Sequence, residues 1–453
     1  MPATHLQAAI AIAAAVALAG CTKSPAIRVT NVPAPSFAAS QAAASLPAPT
    51  GPLTIETAAQ RAVTWHPAVR EAVARLGQQE AGVMEARAGY GPKFGWDLGS
   101  DFSEGSSFGQ PKVTLTGSQT IYDFGKVDGR VRVATAGTEQ GRANVRLAVD
   151  KLAYETATAM LKVQRNREML AIANERIPDT QAILELVRSR ASAGASTQSD
   201  LRQAEARLQA AHAAALEIET ELRRWESIVL SLTATTPPLR IAASTPAWLN
   251  GACPTPDGDL KHTPAVLEAE ARQAIASAQL DLLKAEVLPS LELRGSLGGG
   301  FSALSRGEPD YRVGLTFTGS LYDGGASAAK MQAAQHAAEA SEAAVAVAKL
   351  DAQRGLAEAN SQLSSLKRLK GALGKNISAL DETRKLYRSQ YEELGTRTLL
   401  DLLNAEDEYH LARIDEASVG FDLSRRSLEC VYNAGALGKA VGLTGKTVQG
   451  VVL

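Results

Sequence analysis

The chain has 453 residues, of which 45% are hydrophobic and only 5% aromatic, and alanine and leucine supply most of the apolar share. Such a composition is typical of long helices. Lys and Arg total 47 against 48 Asp and Glu, which gives a formal net charge of -1. The sequence therefore has no basic excess to attract nucleic acid, and we expect no nucleic-acid partner.

The N-terminus predicts export. Residues 8–20 (AAIAIAAAVALAG) form an uncharged apolar run that matches the core of a signal peptide and falls short of the roughly 20 residues of a spanning helix. We assign residues 1–20 to the signal peptide. The run ends in Leu18-Ala19-Gly20-Cys21, which resembles the bacterial lipobox and implies lipidation of Cys21. No Lys or Arg precedes the run, so an ordinary signal peptide with a chance cysteine is the alternative.

Residues 21–52 then combine the lipid anchor with a segment rich in Pro, Ala and Ser, which suits an extended tether. No later segment approaches 18 consecutive apolar residues, so the sequence predicts no transmembrane helix in the mature protein. Any membrane would have to be crossed by strands.

Residues 53–235 follow one plan of helix, β-hairpin and long helical hairpin. A helical pattern over 53–89 stops at Gly91-Pro92, and alternating apolar and polar residues then predict a hairpin over 93–122. The helical pattern resumes from Lys126 to Arg190.

The long helical patterns predict coiled-coil packing. Pro178 should kink or interrupt the first of them. Apolar residues three and four positions apart form a sustained seam in each half. These seams are Leu152, Ala159, Val163, Leu170, Ala173, Ile177, Leu184 and Val187 in the first half, and Leu363, Leu366, Leu373, Ile377, Leu380, Tyr387, Tyr391 and Leu394 in the second.

The same plan recurs over 258–435, with a hairpin at 290–322. The stretch TLTGSQTIYDFG (114–125) returns as GLTFTGSLYDGG (314–325), and matched positions stay about 200 residues apart, too long a period for a solenoid. The sequence therefore predicts a two-fold internal repeat. A linker at 236–257 joins the halves, and a C-terminal tail follows at 436–453.

Each repeated stretch ends where a strand should turn into a helix. We expect the tyrosine to lie at the membrane interface, the aspartate to cap the helix and the glycine to form the bend. The six junction residues are Tyr122, Asp123, Gly125, Tyr322, Asp323 and Gly325.

The strands are about ten residues long, enough to cross a bilayer when tilted, with one apolar and one polar side. Four strands leave two open edges, which hydrocarbon does not tolerate. Two chains would give a small, filled barrel, whereas three would give about twelve strands and a lumen. The expected fold class is an α+β membrane channel: a transmembrane β-barrel, closed by a homotrimer, on a long α-helical coiled-coil barrel.

This plan resembles the TolC family of outer-membrane channel-tunnels from about residue 53 to 440. The run 394–405 (LGTRTLLDLLNA) is similar to the periplasmic tip of the type I secretion components, whereas the lipobox is shared with the lipidated drug-efflux branch. The resemblance implies a lipid-anchored homotrimer among outer-membrane lipids, with its tunnel in the periplasm. An inner-membrane ABC or RND transporter with a periplasmic adaptor (membrane fusion protein) would open it.

The resemblance also implies a periplasmic gate. Asp401 matches the family's constriction aspartate, and Asn404 takes a second ring position where the family has another aspartate. Arg397 matches an arginine that tethers neighbouring tip helices, with Asp200 as its acidic partner, and the tyrosine of this tether aligns one place from Tyr391. The alternative is structural: both aspartates lie in first helical turns, where a carboxylate is favoured, and Arg397 is a solvated turn residue.

Two cysteines remain. Cys253 lies between the halves and Cys430 near the end of the last long helix. In an oxidising periplasm they could pair, but the connectivity of cysteines cannot be deduced from sequence.

The sequence shows no pattern typical of an enzyme. The six histidines lack metal-ligand spacing, Gly298-Gly299-Gly300 falls in a predicted strand and not in a phosphate loop, and no nucleophile and base stand out. We therefore expect no catalytic, cofactor-binding or metal residues. A rival from another class is a periplasmic coiled-coil scaffold or adaptor lipoprotein that forms no pore, although an adaptor would need one helical hairpin and a β-rich domain.

Overall fold

The computed structural model describes residues 49, 51–101, 110–250, 253, 260, 263–300 and 310–452. The predicted signal peptide, Cys21 and most of the tether lie outside the described residues. In the part that is described, every helix is too short or too polar to cross a membrane. The chain divides into two compact units.

The first unit is formed by the described parts of Gly77–Glu139 and Arg272–Ser341 and contains a four-stranded antiparallel sheet. Its strands are β1 (Lys93–Asp101), β2 (Gln110–Tyr122), β3 (Ser290–Gly300) and β4 (Asp310–Thr318), in that order across the sheet. The two hairpins, one from each half of the sequence, therefore pair with each other through β2 and β3.

The register places apolar side chains on one face of this sheet. Trp96 is paired with Leu115, Leu115 with Leu297, and Leu297 with Tyr311, so that one apolar row crosses all four strands. Directly paired residues in an antiparallel sheet point to the same side. This side is exposed in the single chain: Trp96 is 75% and Tyr311 80% accessible.

The opposite face is polar. Adjacent rows place Thr116, Ser296 and Arg312 opposite one another, and Thr120, Glu292 and Thr316 likewise. The sheet thus has the two-sided pattern predicted for a wall between lipid and water.

The second hairpin ends earlier than predicted. Its last pair is Ser290 with Thr318, so β4 stops four residues before the predicted boundary at 322. Pro289 comes next on the neighbouring strand and has no amide hydrogen to donate, and Gly319 packs against its ring. The alternation that continues to Leu321 is therefore not strand.

The first helical segment is divided, whereas the sequence pattern indicated one helix over 53–89. Helix α1 (Ile55–Trp65) and helix α2 (Pro67–Arg87) are separated by His66, whose ψ of 136° is extended. Proline disfavours helical geometry in the residue before it, which explains the break.

The long helix α3 (Lys126–Ser192) continues through Pro178, against the prediction that this proline could interrupt it. One proline removes a single backbone hydrogen bond. The seam residues that follow it, Leu184 and Val187, are buried in a core cluster with residues of other helices. Packing therefore outweighs the local loss. Helix α4 (Gln198–Thr233) completes the first helical hairpin.

The second half repeats this order. It contains α5 (Pro264–Glu286), α6 (Ala326–Ser389), a π-helical turn (Gln390–Leu394), α7 (Leu399–Asn433) and the short α8 (Leu437–Ala440). A small hairpin, β5 (Thr447–Val448) and β6 (Val451–Val452), follows.

The second unit comprises the described parts of Ala43–Leu76, Gln140–Ala271 and Glu342–Leu453. Its largest core joins residues of α1, α3 and α7 to Leu437, Leu443 and Val448 from the C-terminal segment. The two seams are buried unequally. Leu152, Val163 and Val187 of α3 are buried, whereas on α6 the described seam residues beyond Leu363 are only partly covered.

Candidate gate at the helical tips

Two turns form the tips of the helical hairpins, and both use the same local chemistry. The first follows α3 at Gly194 (φ 76°) and the second follows the π-helical turn at Gly395 (φ 62°), a left-handed conformation that glycine adopts without strain. Each next helix then starts with a reciprocal cap. Thr197 Oγ1 accepts from Asp200 N at 3.1 Å, and Asp200 Oδ2 accepts from Thr197 N at 2.9 Å.

The second tip repeats this capping box with Thr398 and Asp401, at 3.2 Å in both directions. The backbone amide of Thr197 is the main cause that lowers the pKa of Asp200, and the hydroxyl of Thr398 that of Asp401. Both carboxylates are therefore ionised at neutral pH and engaged in starting a helix. This geometry accounts for both aspartates structurally, and the ring formed by Asp401 of three copies stays a prediction.

Arg397 lies on the second tip and contacts its own hairpin. Its Nε donates to Gln390 Oε1 at 3.0 Å, and its guanidinium lies 4.2 Å from the centre of the Tyr387 ring. Asp200 accepts instead from Ser196 and Thr197. Within one chain the contacts of the described residues do not bring Arg397 and Asp200 together, so a tether between neighbouring copies stays a prediction.

Asn404 is engaged with the first half of the same chain. Its Oδ1 accepts from Arg207 Nη2 at 3.1 Å, and Arg207 Nη1 also pairs with Asp407 Oδ2 at 2.8 Å. Arg176 reaches the other oxygen of Asp407 at 2.6 Å. Asp407 on α7 is thus held by arginines from both α3 and α4.

A second group of charges, which we call the tip ionic cluster, consists of Asp179, Arg384, Glu406 and His410. The Nε2 atom of His410 lies 3.1 Å from Asp179 Oδ2 and 3.2 Å from Glu406 Oε1, and Arg384 Nη1 donates to Glu406 at 2.9 Å. Burial opposes the ionisation of Glu406, but the hydrogen bond with His410 and the charge of Arg384 outweigh it and lower its pKa. The cluster joins helices α3, α6 and α7.

Tyr391 makes a further contact between the halves. Its backbone oxygen accepts from Arg190 Nη1 at 3.2 Å, and the Arg190 guanidinium lies 4.8 Å from its ring. The side chain is 5% exposed and packs with Val187 and Leu402 in the tip core. The π-helical turn around it displaces side chains from α-helical register, which a residue-by-residue alignment does not anticipate.

Sequence analysis did not find these contacts between the hairpins. One local signal was present: Glu406 and His410 are four residues apart and therefore share a helix face. Their partner Asp179 lies more than 200 residues away along the chain, as Arg190 does from Tyr391, and only the packing of the two hairpins brings them close.

The junction residues adopt matching geometries in the two halves. Asp123 accepts from Gly125 N at 3.0 Å and Val127 N at 2.7 Å, and Gly125 has a φ of 87°. Asp323 accepts from Gly325 N at 3.2 Å and Ser327 N at 2.8 Å, with Gly325 at 89°. The preceding tyrosines, Tyr122 and Tyr322, are exposed.

Cys253 and Cys430 are joined by a disulfide, with their Cα atoms 5.2 Å apart. Cys430 is fully buried and packs with Ala359 and Leu363 of α6. The bond therefore fastens the segment between the two halves to the pair of helices α6 and α7.

Known proteins resemble this chain in sequence or in fold. The chain is similar to the Pyoverdine export outer membrane protein OpmQ of Pseudomonas putida, at 30% identity over 38% of this chain and 37% of OpmQ. It is also similar to Protein CyaE of Bordetella pertussis, at 26% identity over 86% of this chain and 85% of CyaE. The structure of the outer membrane protein VceC from Vibrio cholerae superposes with a TM-score of 0.74 at 17% identity, covering 84% of this chain and 96% of VceC.

The sequence profile of the family described as Outer membrane efflux protein matches residues 58–232 and again 256–427. The double match confirms the predicted duplication, and the superposition confirms the predicted helical tunnel with a small β part. By sequence and by fold, the chain belongs to the outer membrane efflux protein family.

Proposed function

We propose that the chain is the outer-membrane exit duct of a type I secretion or tripartite efflux system. Channels of this family lie in the outer membrane and extend into the periplasm, and they are trimers that work with an adaptor and an inner-membrane transporter. For this chain we infer a homotrimer opened by an ABC or RND transporter together with its periplasmic adaptor. Lipidation of Cys21 would add an anchor beside the barrel.

The exposed sheet is the observation that supports this proposal most directly. Its apolar row from Trp96 to Tyr311 is open in one copy, and its outer strands β1 and β4 each have one unpaired edge among the described residues. Lipid would cover the apolar face, and neighbouring copies would pair with the edges. A non-pore scaffold would leave this surface in water.

The tip sequence favours type I protein export, since residues 394–405 are similar to that branch. The match to OpmQ, which is named as a pyoverdine export protein, favours small-molecule export as the second candidate. Comparison of the proteins and small molecules exported by cells with and without the chain would separate them, loss of an exported protein supporting the first and retention of a small molecule the second.

Measurement of ion conductance across a planar lipid bilayer tests whether the chain forms a duct. We expect the detergent-purified full chain to have the mass of a trimer and to insert as a stable pore. A monomer that never conducts would overturn the proposal and favour the scaffold lipoprotein.

We also propose that Asp200, Arg397, Asp401 and Asn404 contribute to a gate that the transporter opens by binding one state of the tips better than the other. Arg397→Ala and Asp200→Ala should each raise single-channel conductance by removing a tether between copies. Arg202→Ala is a suitable control, because Arg202 is exposed beside the tip and forms its ion pair with Glu205 of the same helix. Unchanged conductance in both test variants would remove the tether.

A further inference from the structure

A buried imidazole and two carboxylates meet where the two helical hairpins pack together. Glu406 and His410 share one face of α7, and Asp179 approaches from α3. One oxygen of each carboxylate and Nε2 of His410 all lie within 4.8 Å of one another. Side chains from both halves of the chain therefore converge on a single point.

The distances from His410 to the two carboxylates fit the coordination shell of a metal ion. First-row ions hold imidazole nitrogen and carboxylate oxygen at about 2.0–2.2 Å, so adjacent ligands of a tetrahedral or octahedral ion are about 3.0–3.5 Å apart. The distances from His410 Nε2 to Asp179 and Glu406 are 3.1 and 3.2 Å. An ion could thus be bound after rotation of the two carboxylate side chains, since all three ligand atoms lie within 4.8 Å of one another.

The local charge balance favours a further cation. Arg384 is the positive group that faces the two carboxylates, with Nη1 2.9 Å from Glu406 and 3.8 Å from Asp179. Its Nε is also bound to Asp381 at 2.9 Å, and Lys385 pairs with Asp381 as well. Three carboxylates then face two cations, and a metal ion requires the unprotonated form of the imidazole, so the metal-binding form of the cluster has one negative charge to offset.

The site has one open side. The side chains of His410 and Glu406 are 1% and 7% exposed, whereas Asp179 is 41% exposed. An ion can enter past Asp179 and keep water molecules in its remaining coordination positions. Arg384 would then withdraw towards Asp381 and Tyr409, since its guanidinium already lies 4.1 Å from the centre of the Tyr409 ring.

We propose that Asp179, Glu406 and His410 bind a divalent first-row transition ion of the Zn²⁺ class, and that this ion fastens α3 to α7 near the tips. Imidazole with carboxylates is a donor set suited to such ions. Nδ1 of His410 is buried without a partner in the described structure. A ligating histidine normally donates from this atom, so we expect an affinity about 10–100-fold below that of a fully supported site.

Calorimetric titration of the tag-free, chelator-treated full chain in detergent with ZnCl₂ tests the site. We expect one ion per chain, loss of this binding in His410→Gln, and at least about tenfold weaker binding in Asp179→Asn. His336→Gln is the matched control, because His336 lies 3.1 Å from Glu339 at an exposed position on α6. The His336→Gln variant should bind zinc with the same affinity as the unmodified chain.

Arg384→Gln gives the discriminating result, since removal of the resident positive charge should tighten zinc binding. No zinc binding by the unmodified chain up to millimolar concentration would overturn the site, as would binding that survives both His410→Gln and Asp179→Asn. The half-exposed Asp179 provides a test even if His410→Gln fails to fold.

The effect of zinc on the gate rests on the proposed function, whereas zinc binding does not. We expect zinc to lower single-channel conductance in the unmodified chain and to leave His410→Gln unchanged. A chain that binds zinc as described but never conducts would support the site and refute the duct, so the two failures are distinguishable.

Discussion

Asp407 shows how one side chain can join two hairpins. Its carboxylate is 13% exposed and accepts from Arg176 and Arg207, while Arg176 itself is only 11% exposed. Loss of this acceptor would leave a buried guanidinium without its main partner, a far larger penalty than the loss of a surface ion pair.

We therefore expect Asp407→Ala to lower the free energy of unfolding by about 3–5 kcal/mol. Glu205→Ala removes the partner of Arg202, which is 77% exposed, and should cost no more than about 1 kcal/mol. Thermal unfolding in detergent, followed by circular dichroism, compares the two. Equal losses would mean that the buried pair contributes no more than the exposed one.

The raised pKa of Asp150 should make the stability of the fold depend on pH. Burial raises its pKa to about 6, against a smaller lowering by Arg146. A carboxyl whose pKa is raised in the folded state binds more protons folded than unfolded, so stability falls as the pH rises from about 4 to about 6.

Asp150→Asn should remove this fall and stabilise the protein at neutral pH by up to about 3 kcal/mol. Melting temperatures measured from pH 4 to pH 8 test it. If the profiles of Asp150→Asn and the unmodified chain run in parallel, the group is not the source of the dependence.

At the scale of elements, the starts of α4 and α7 are built from the same four-residue cap. Thr398→Ala removes the side-chain acceptor for the amide of Asp401 and should cost about 1 kcal/mol, concentrated in the first turn of α7. Hydrogen exchange of the amides at 399–402 should accelerate. Thr383→Ala is the control, because that hydroxyl only donates to Ala379 O within α6. Equal exchange at 399–402 in both variants would exclude the cap.

Local patterns predicted the elements well where the cause was itself local. Alternation placed β1, β2 and β3, and the Tyr-Asp pairs marked both strand-to-helix junctions. The break at His66 was readable from Pro67, but the amphipathic pattern on either side concealed it. Continuation through Pro178 depends on packing against other helices, and the end of β4 depends on Pro289 of the neighbouring strand.

The gate was less predictable because most of its contacts join helices that are distant in the sequence. The capping aspartates follow from four adjacent residues, whereas the contacts of Asn404, Tyr391 and His410 depend on helices distant in sequence. No periodicity within one helix indicates which residue of another helix it will meet.

At the scale of the whole molecule, the disulfide between Cys253 and Cys430 closes a long loop, since the two cysteines are 177 positions apart in the sequence. Loop closure restricts the unfolded chain, so Cys253→Ser should cost about 2–5 kcal/mol. Melting with and without reductant provides the test. Reductant should lower the melting temperature of the unmodified chain towards that of Cys253→Ser and leave the double variant Cys253→Ser/Cys430→Ser unaffected. No difference between these proteins would show that the bond does not stabilise the fold.

The unequal burial of the two seams affects how the duplicated halves can evolve. The seam of α3 packs inside one copy, so a substitution there is tested as soon as the chain folds. The seam of α6 beyond Leu363 is only partly covered in one copy, and Leu350 beside it is 64% exposed. In the proposed homotrimer a change at these positions would be tested where copies meet, and there it would recur at every contact. Selection would then act on the seam of α3 as on the core of a domain, and on the exposed part of α6 as on the interface of an assembly.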